Sequence, residues 1–545
     1  MSRDSAIPAD SGAALRASWL PMAVIAMGQM LMSFNVAALP VSMSGMVERF
    51  RTAPTTVGTA IVMYSLGVSG FVMLGAKLGQ RFGSKIFFQA AVLLFLAAMI
   101  LMVVAPTAPV MIAAQGLAGL AGAALVPSLV ALIANHYRGA QQAQAVGFLG
   151  SARAIAGVLA FVIVGFVAAI DYRLAFGLLI VHAAVLLLLS FKLKPSEPRP
   201  EVKIDVVGVV LAAVGIIMIA FGFNNLRSWG ALLATSAAPR DVLGVSPAPI
   251  MIVCGVVILG GFFVWSHRRQ TGGRTPLLAL EVIDSPKEWA AVVALFLIVG
   301  MEGAINFSVP LYIQIIQGRS SMATSIAMMP FMLTVFFTAF MVVRLYKRFT
   351  PRQIARLGFG LVFVGTLWLA FVVRNDWSVA PVVIGLVITG LGQGALVTLL
   401  FNVLVTASPK ELAGDVGSLR GVTQNLAAAV GTAVIGALLV GLLSAIVIGK
   451  LSSNIVLTPE LQAQLDLETI NFVSNDRLQS VLSGTDATPE QVVEAVRVNT
   501  EARLRALKIG FLTLSGLALL AFLPASWLPG YKPGEIPPEK GVRKA

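Results

Sequence analysis

About fourteen apolar stretches run through this chain, each close to the length that crosses a bilayer. A helix needs roughly 20 apolar residues to span about 30 Å of hydrocarbon. The composition agrees: 57% of the residues are hydrophobic and 12% charged, with mean hydropathy +0.89, whereas soluble domains carry about 25% charged residues. A water-soluble core cannot account for such a chain. It reads as an all-α polytopic membrane protein.

The formal net charge is +14 and the isoelectric point about 10.2. In a soluble chain that balance would raise the question of nucleic acid. Here the basic residues collect in every second connection, as Lys77, Arg81 and Lys85, then Lys192, Lys194, Arg199 and Lys203. The pattern continues with Arg268, Arg269 and Arg274, with Arg344, Lys347, Arg348 and Arg352, and with Lys532, Lys540, Arg543 and Lys544. By the positive-inside rule these connections and both termini are cytoplasmic, the number of spans is even, and no nucleic-acid partner is implied. The lone Cys254 lies in an apolar stretch and forms no intrachain disulfide. Met1 to Ser18 is polar and lacks the apolar core of a cleaved signal, so the first span is expected to be retained.

Spans are expected to begin at Trp19, Thr55, Ile86, Ala108, Gln144, Arg173, Asp205, Ala248, Lys287, Ser321, Pro351, Val379, Asp415 and Arg505. They divide the chain into a cytoplasmic tail (1–18), a first six-helix bundle (19–191), a Pro-rich charged linker (192–204) and two additional helices (205–266). A cytoplasmic connection (267–286), a second six-helix bundle (287–528) and a C-terminal tail (529–545) follow. The second bundle includes a polar extracytoplasmic loop, 449–504. Within it Thr458-Pro459-Glu460 and Thr488-Pro489-Glu490 each place an N-cap, a Pro at the first helical position and an acid in the first turn, the signature of a short helix. The loop reads as a folded cap or as a surface for a periplasmic partner.

The two six-span blocks share a signature after their second spans: Lys77-Leu78-Gly79-Gln80-Arg81-Phe82-Gly83-Ser84-Lys85 in one, Arg344-Leu345-Tyr346-Lys347-Arg348-Phe349-Thr350-Pro351-Arg352 in the other. This suits a tight turn with basic side chains anchored at the headgroups. Internal repeats with a site near the midplane between halves are typical of secondary transporters.

With these residues in place the sequence resembles the major facilitator superfamily, and within it the fourteen-span drug:proton antiporters. Leu78-Gly79-Gln80-Arg81-Phe82-Gly83 is like the family's loop motif. Ala121 to Ser128, Pro310-Leu311-Tyr312-Ile313-Gln314, and Gly417 to Arg420 followed by Gly431-Thr432-Ala433 also fit in order. The resemblance implies two six-helix bundles plus two inserted helices. There are departures. The first span runs Met30 to Pro40 without the family's acid, the loop acid is Gln80 with Lys347 as its counterpart, and the fourth-span Arg falls at Gln115. The fifth-span antiporter motif is reduced to Ala156 to Phe161 without proline.

The only acid near the middle of a span is Glu302. Intramembrane carboxyls are expensive and usually face a bundle interior or a wet cavity, so Glu302 is the expected proton or cation site. In the family's architecture spans one, four, nine and twelve line the cavity. They carry the amides Gln29, Asn35, Gln115, Asn306, Gln393 and Asn402, whose bland reading is interhelical hydrogen bonding. Arg153 is a candidate charge partner of Glu302 or a snorkelling rim residue. Asp415 and Arg420 are candidates for a gate, and Gly79, Gln80, Arg81, Gly83 and Lys85 form the loop motif. His136, His182 and His267 have no metal-ligand spacing, and no phosphate-binding Gly-Lys-Ser/Thr loop occurs. No metal or cofactor is expected, and no enzyme. The expected function is proton-coupled efflux of a small amphipathic organic compound by a monomer in a bacterial inner membrane. A proton-independent uniporter or importer, and a non-transporting partner or sensor, stay open.

Overall fold

The computed structural model describes residues 18–137, 139–226, 228–230, 232–235, 238–239, 244–345, 348–375, 379–407, 413–451, 475–482 and 487–530. Fourteen helices of nineteen residues or more account for most of them. The first bundle comprises α1 (Leu20–Val41), the short α2 (Met43–Phe50), α3 (Pro54–Phe82), α4 (Ser84–Val104), α5 (Ala108–His136), α6 (Gly139–Ala168) and α7 (Tyr172–Ser190). Two further helices, α8 (Val206–Asn225) and α9 (Pro247–Thr271), precede the second bundle. That bundle contains α10 (Pro286–Pro310), α11 (Ser321–Leu345), α12 (Pro351–Val372), α13 (Val379–Ala407), α14 (Ala413–Leu451), α15 (Asn475–Leu482), α16 (Pro489–Leu520) and α17 (Phe522–Trp527). Among the described residues thirteen helices are long and apolar enough to cross a membrane; α6, apolar over Ile155–Ala168, completes the set. The protein is a multi-pass membrane protein.

The two bundles repeat one packing scheme. In the first, α3 packs on α5, α1 on α6 and α4 on α7; in the second, α11 packs on α13, α10 on α14 and α12 on α16. Small residues let the backbones close. A Cβ at Gly119 of α5 would lie 2.2 Å from the Tyr64 carbonyl oxygen of α3, and one at Gly394 of α13 would lie 2.3 Å from that of Val335 in α11. No side chain fits at either place, which is how small residues set helix contacts in lipid. The bundles meet through α3 on α14 and α6 on α11, while α8 rests on α3 and α14 and α9 pairs with α8. Outward faces carry exposed apolar side chains such as Ile86, Leu93, Val253 and Val257, the surface that lipid covers.

One expected boundary is corrected. The helix begun at Thr488 does not stop before a separate last span at Arg505; Pro489 to Leu520 is one helix of 32 residues. Its start carries the expected capping box, with the Thr488 side chain accepting from the Gln491 N–H and the Gln491 side chain accepting from the Thr488 N–H. The helix continues because Arg503, which the hydropathy reading took for loop, and Arg505, which it took for the start of the last span, lie inside it without breaking its backbone. The neighbouring α14 runs 39 residues, about 58 Å at 1.5 Å per residue, so its last turns stand clear of about 30 Å of hydrocarbon. Lys450 of α14 and Glu501 of α16 are ion-paired across this projecting part. The Thr458-Pro459-Glu460 start lies outside the described residues.

Candidate functional site at the middle of the bundle

Glu302 sits about sixteen residues into α10, roughly 24 Å along the helix, and Gln393 falls at the midpoint of α13. Their side chains meet: the Gln393 Nε2 donates to Glu302 Oε2 at 2.6 Å. Gln393 is 1% exposed and Glu302 partly exposed. A hydrogen bond to a charged acceptor is worth about 1.5–3 kcal/mol, so the amide secures the carboxyl at mid-depth. One turn on, Asn306 holds its Oδ1 buried without a hydrogen-bond partner. An enclosed acceptor beside a carboxyl suits a donor brought from outside, whether water or a substrate N–H.

The first bundle carries a neutral version of the pair. Asn35 of α1 donates to Gln115 Oε1 of α5 at 3.0 Å, and Gln115 returns a bond to Asn35 Oδ1 at 3.4 Å, with both residues fully buried. These two amides therefore join helices in this state and do not line open space, the bland reading of their expected cavity role. Sequence spacing anticipates the equivalence. Arg348 follows Arg81 in the repeated loop by 267 residues, and Glu302 follows Asn35 by the same 267. Gln29 donates to Ser33 on its own helix at 3.2 Å, and Asn402 lies partly buried in α13.

The side chain of Arg153 lies outside the described residues, and Glu302 accepts a hydrogen bond from Gln393. Arg420 stacks over the Phe401 ring at 4.0 Å, tying α14 to α13, while Asp415 lies beside Lys77 of α3 and accepts from the Ala279 N–H. Asp415 thus ties α14 to the connection before α10, at the end of the bundle that carries the basic connections, and Arg420 braces the second half internally.

The loop motif holds a linker. Gly83 has φ +91°, a conformation that side chains avoid, and a Cβ there would lie 2.8 Å from the Ser196 carbonyl. The Gln80 carbonyl accepts from the Arg199 N–H at 3.1 Å. Lys85 was expected to reach headgroups; its ammonium instead donates to the carbonyls of Phe191 and Leu193 at the end of α7. The correction has a simple cause, since a helix C-terminus presents unsatisfied carbonyls that attract a cation. Arg81 is exposed, 6.0 Å from the Phe82 ring, and Gly79 packs on Phe87.

Sequence reasoning assigned no role to Gln314. Pro310 cannot donate to the carbonyl one turn back, and the end of α10 widens into a π-turn over Leu311–Ile316. Within it Gln314, 4% exposed, accepts from the Ser44 N–H at 2.8 Å and donates to the Pro40 carbonyl at 3.0 Å. These bonds join the halves at the face opposite the basic connections. A Pro followed four residues later by an amide in an otherwise apolar run was the available signal. Among the described residues no group of three or more His, Cys, Asp and Glu is placed to hold a metal.

The sequence profile described as Major Facilitator Superfamily matches residues 25–432. The chain belongs to that superfamily. It is a transporter and not an enzyme. Among its relatives, the multidrug efflux pump LfrA of Mycolicibacterium smegmatis is 26% identical over 426 residues, covering 77% of this chain and 80% of that protein. The tetracenomycin C resistance and export protein of Streptomyces glaucescens is 22% identical, covering 77% and 76%. In fold the chain is similar to a bacterial homologue of the human lysosomal transporter Spinster, solved inward-facing and unoccupied. The TM-score is 0.60 at 13% identity, over 93% of this chain and 97% of that one.

Proposed function

We propose that this superfamily member exports a small amphipathic organic compound from a bacterial cytoplasm in exchange for protons. It works as a monomer in the inner membrane with both termini inside, and without a nucleic-acid partner. The observation that carries the reading is the Glu302–Gln393 contact at mid-depth, with the enclosed Asn306 Oδ1 one turn away. A carboxyl in a low-dielectric interior exchanges its proton as water or a cationic substrate reaches it. Relatives named for multidrug efflux and antibiotic export support the substrate class and the direction. The basic connections support the orientation.

The decisive experiment uses proteoliposomes with an imposed pH gradient and an amphipathic fluorescent cation such as ethidium. Wild-type flux should follow the gradient, and Glu302→Gln should lose that dependence while keeping its fold. Equal gradient dependence in both proteins removes Glu302 from coupling. A second reading, proton-independent uniport, is favoured by the neutral Asn35–Gln115 pair where the first half lacks an acid; it requires wild-type flux indifferent to the gradient.

A further inference from the structure

We propose that Gln314 is the latch of the face opposite the basic connections, and that Arg503 on the projecting part of α16 positions it. The proposal rests on the transporter moving between two access states. It does not depend on which compound or ion moves.

Both ends of the Gln314 amide are engaged by backbone of the other half, at the corner where α1 ends and α2 begins. Pro40, inside the last turn of α1, lacks the N–H that would continue the helix, and its own carbonyl takes the Gln314 Nε2. Ser44, in the first turn of α2, offers an N–H that no earlier helical turn claims, and it goes to the Gln314 Oε1. A shorter amide or an apolar side chain at 314 cannot serve both groups. Any movement that opens this face must separate the α1–α2 corner from the end of α10 and break both bonds. They are enclosed, so water does not replace them while the face is shut.

A π-turn is a rare geometry that needs support. Arg503 supplies it. The residue is fully buried; its guanidinium donates to the carbonyl of Ile315, the residue after Gln314, at 3.5 Å, and to Asn475 of α15. Thr500 of α16 donates to the same Asn475 oxygen at 3.1 Å. The Lys450–Glu501 pair ties this segment to α14. The described part of the region expected as a partner surface therefore acts inward here, bracing the turn that carries the latch.

Two such hydrogen bonds, one buried and one partly buried, are together worth about a 5- to 150-fold factor in an equilibrium. The test replaces the single native cysteine, Cys254→Ser, and places spin labels at Glu48→Cys on α2 and Arg319→Cys after the π-turn, both exposed and on opposite sides of the latch. Distances are read by double electron–electron resonance in lipid nanodiscs with no substrate or pH gradient. Gln314→Leu should raise the ratio of long to short distances by about 5- to 150-fold. Gln314→Asn, which keeps the amide but is one methylene short, and Arg503→Met should shift it the same way. Gln317→Ala is the control, because that neighbouring amide bonds only the Arg374 carbonyl of its own half, at 2.6 Å. An unchanged distribution in both Gln314 variants overturns the latch. An equal shift in Gln317→Ala also overturns it, as general loosening of the turn. An unchanged distribution in Arg503→Met overturns the bracing role. Because no proton or substrate enters the measurement, these results stand apart from the fate of Glu302.

Discussion

Lys85→Met tests whether the repeated loop motif grips the linker or faces the headgroups. In the structure the Lys85 ammonium donates to Phe191 O at 3.0 Å and to Leu193 O at 2.5 Å, while its backbone N–H donates to Ser196 Oγ at 3.0 Å. Only the first two bonds depend on the side chain. A charged hydrogen bond is worth about 1.5–3 kcal/mol when enclosed, but the ammonium is partly open to water, so the pair is discounted to about 1–2 kcal/mol. Its position at the end of α7 adds about 0.3–1 kcal/mol from the helix dipole. The sum is about 2 kcal/mol, which raises the population of undocked linker about 30-fold at 1.36 kcal/mol per factor of ten. The linker carries trypsin sites at Lys192 and Lys203, while the bonds after Lys194 and Arg199 precede proline and resist the enzyme. Cleavage there follows the open population when reclosing is fast. Limited trypsinolysis in nanodiscs, with fragments identified by mass, should therefore run about 30-fold faster between the bundles in Lys85→Met. Arg81→Met, whose side chain is exposed, should leave the rate as it is. A change under about threefold in Lys85→Met, or the same change in both variants, refutes the docking argument and returns Lys85 to the headgroups.

The amide pair of the first half gives a double-mutant test. Asn35→Leu or Gln115→Leu alone leaves a buried amide unpaired, costing about 1–3 kcal/mol, and should lower the detergent melting temperature. The double variant should recover much of that loss and keep transport if the pair only joins helices; loss of transport with recovered melting would make it a substrate contact. Gly119→Ala forces a Cβ to 2.2 Å from the Tyr64 carbonyl, so α3 and α5 must part at an overpacking cost of about 1–3 kcal/mol. Gly177→Ala in α7 meets nothing within 4 Å and should hold or raise the melting temperature, since Ala is the better helix former by about 1 kcal/mol. Equal effects of the two glycine changes would contradict the packing scheme.

How far the sequence reached depends on which physical signal each feature carries. Hydropathy and the basic connections located the spans and the two-bundle repeat, because the cost of a polar group in lipid acts on every residue of a span. The junction at Arg503 and Arg505 escaped for the same reason. A hydropathy reading places a boundary where charge begins, whereas the α16 backbone runs through those residues and lets Arg503 spend its charge on Ile315 and Asn475. Glu302 was legible because one acid among apolar residues has few uses; its partner Gln393 was legible only as one of six amides. Lys85 was visible as a charge but not as a donor to α7 carbonyls, since α7 lies about 100 residues away in sequence. Contacts across such separations are set by how helices pack. Composition does not record them.

The two halves carry the same frame and unequal chemistry, and the inequality has a physical consequence. Asn35 and Glu302 stand at equivalent positions on α1 and α10, and each is held by a glutamine from the partner helix, Gln115 on α5 or Gln393 on α13. Two amides satisfy each other at no cost in charge, so the first pair is sealed without access to water. A carboxyl sealed equally well would lose the hydration that its charge requires, and Glu302 keeps partial exposure where Asn35 has none. On the exchange reading, protons then have one binding group in this layer, and it belongs to the second half. That half also holds Gln314, twelve residues farther on in the π-turn that continues α10. Protonation and the opposite-face latch therefore share one helix. A tilt or rotation of α10 that follows a change of charge at Glu302 acts on the Pro40 and Ser44 contacts directly, with no relay through the first half.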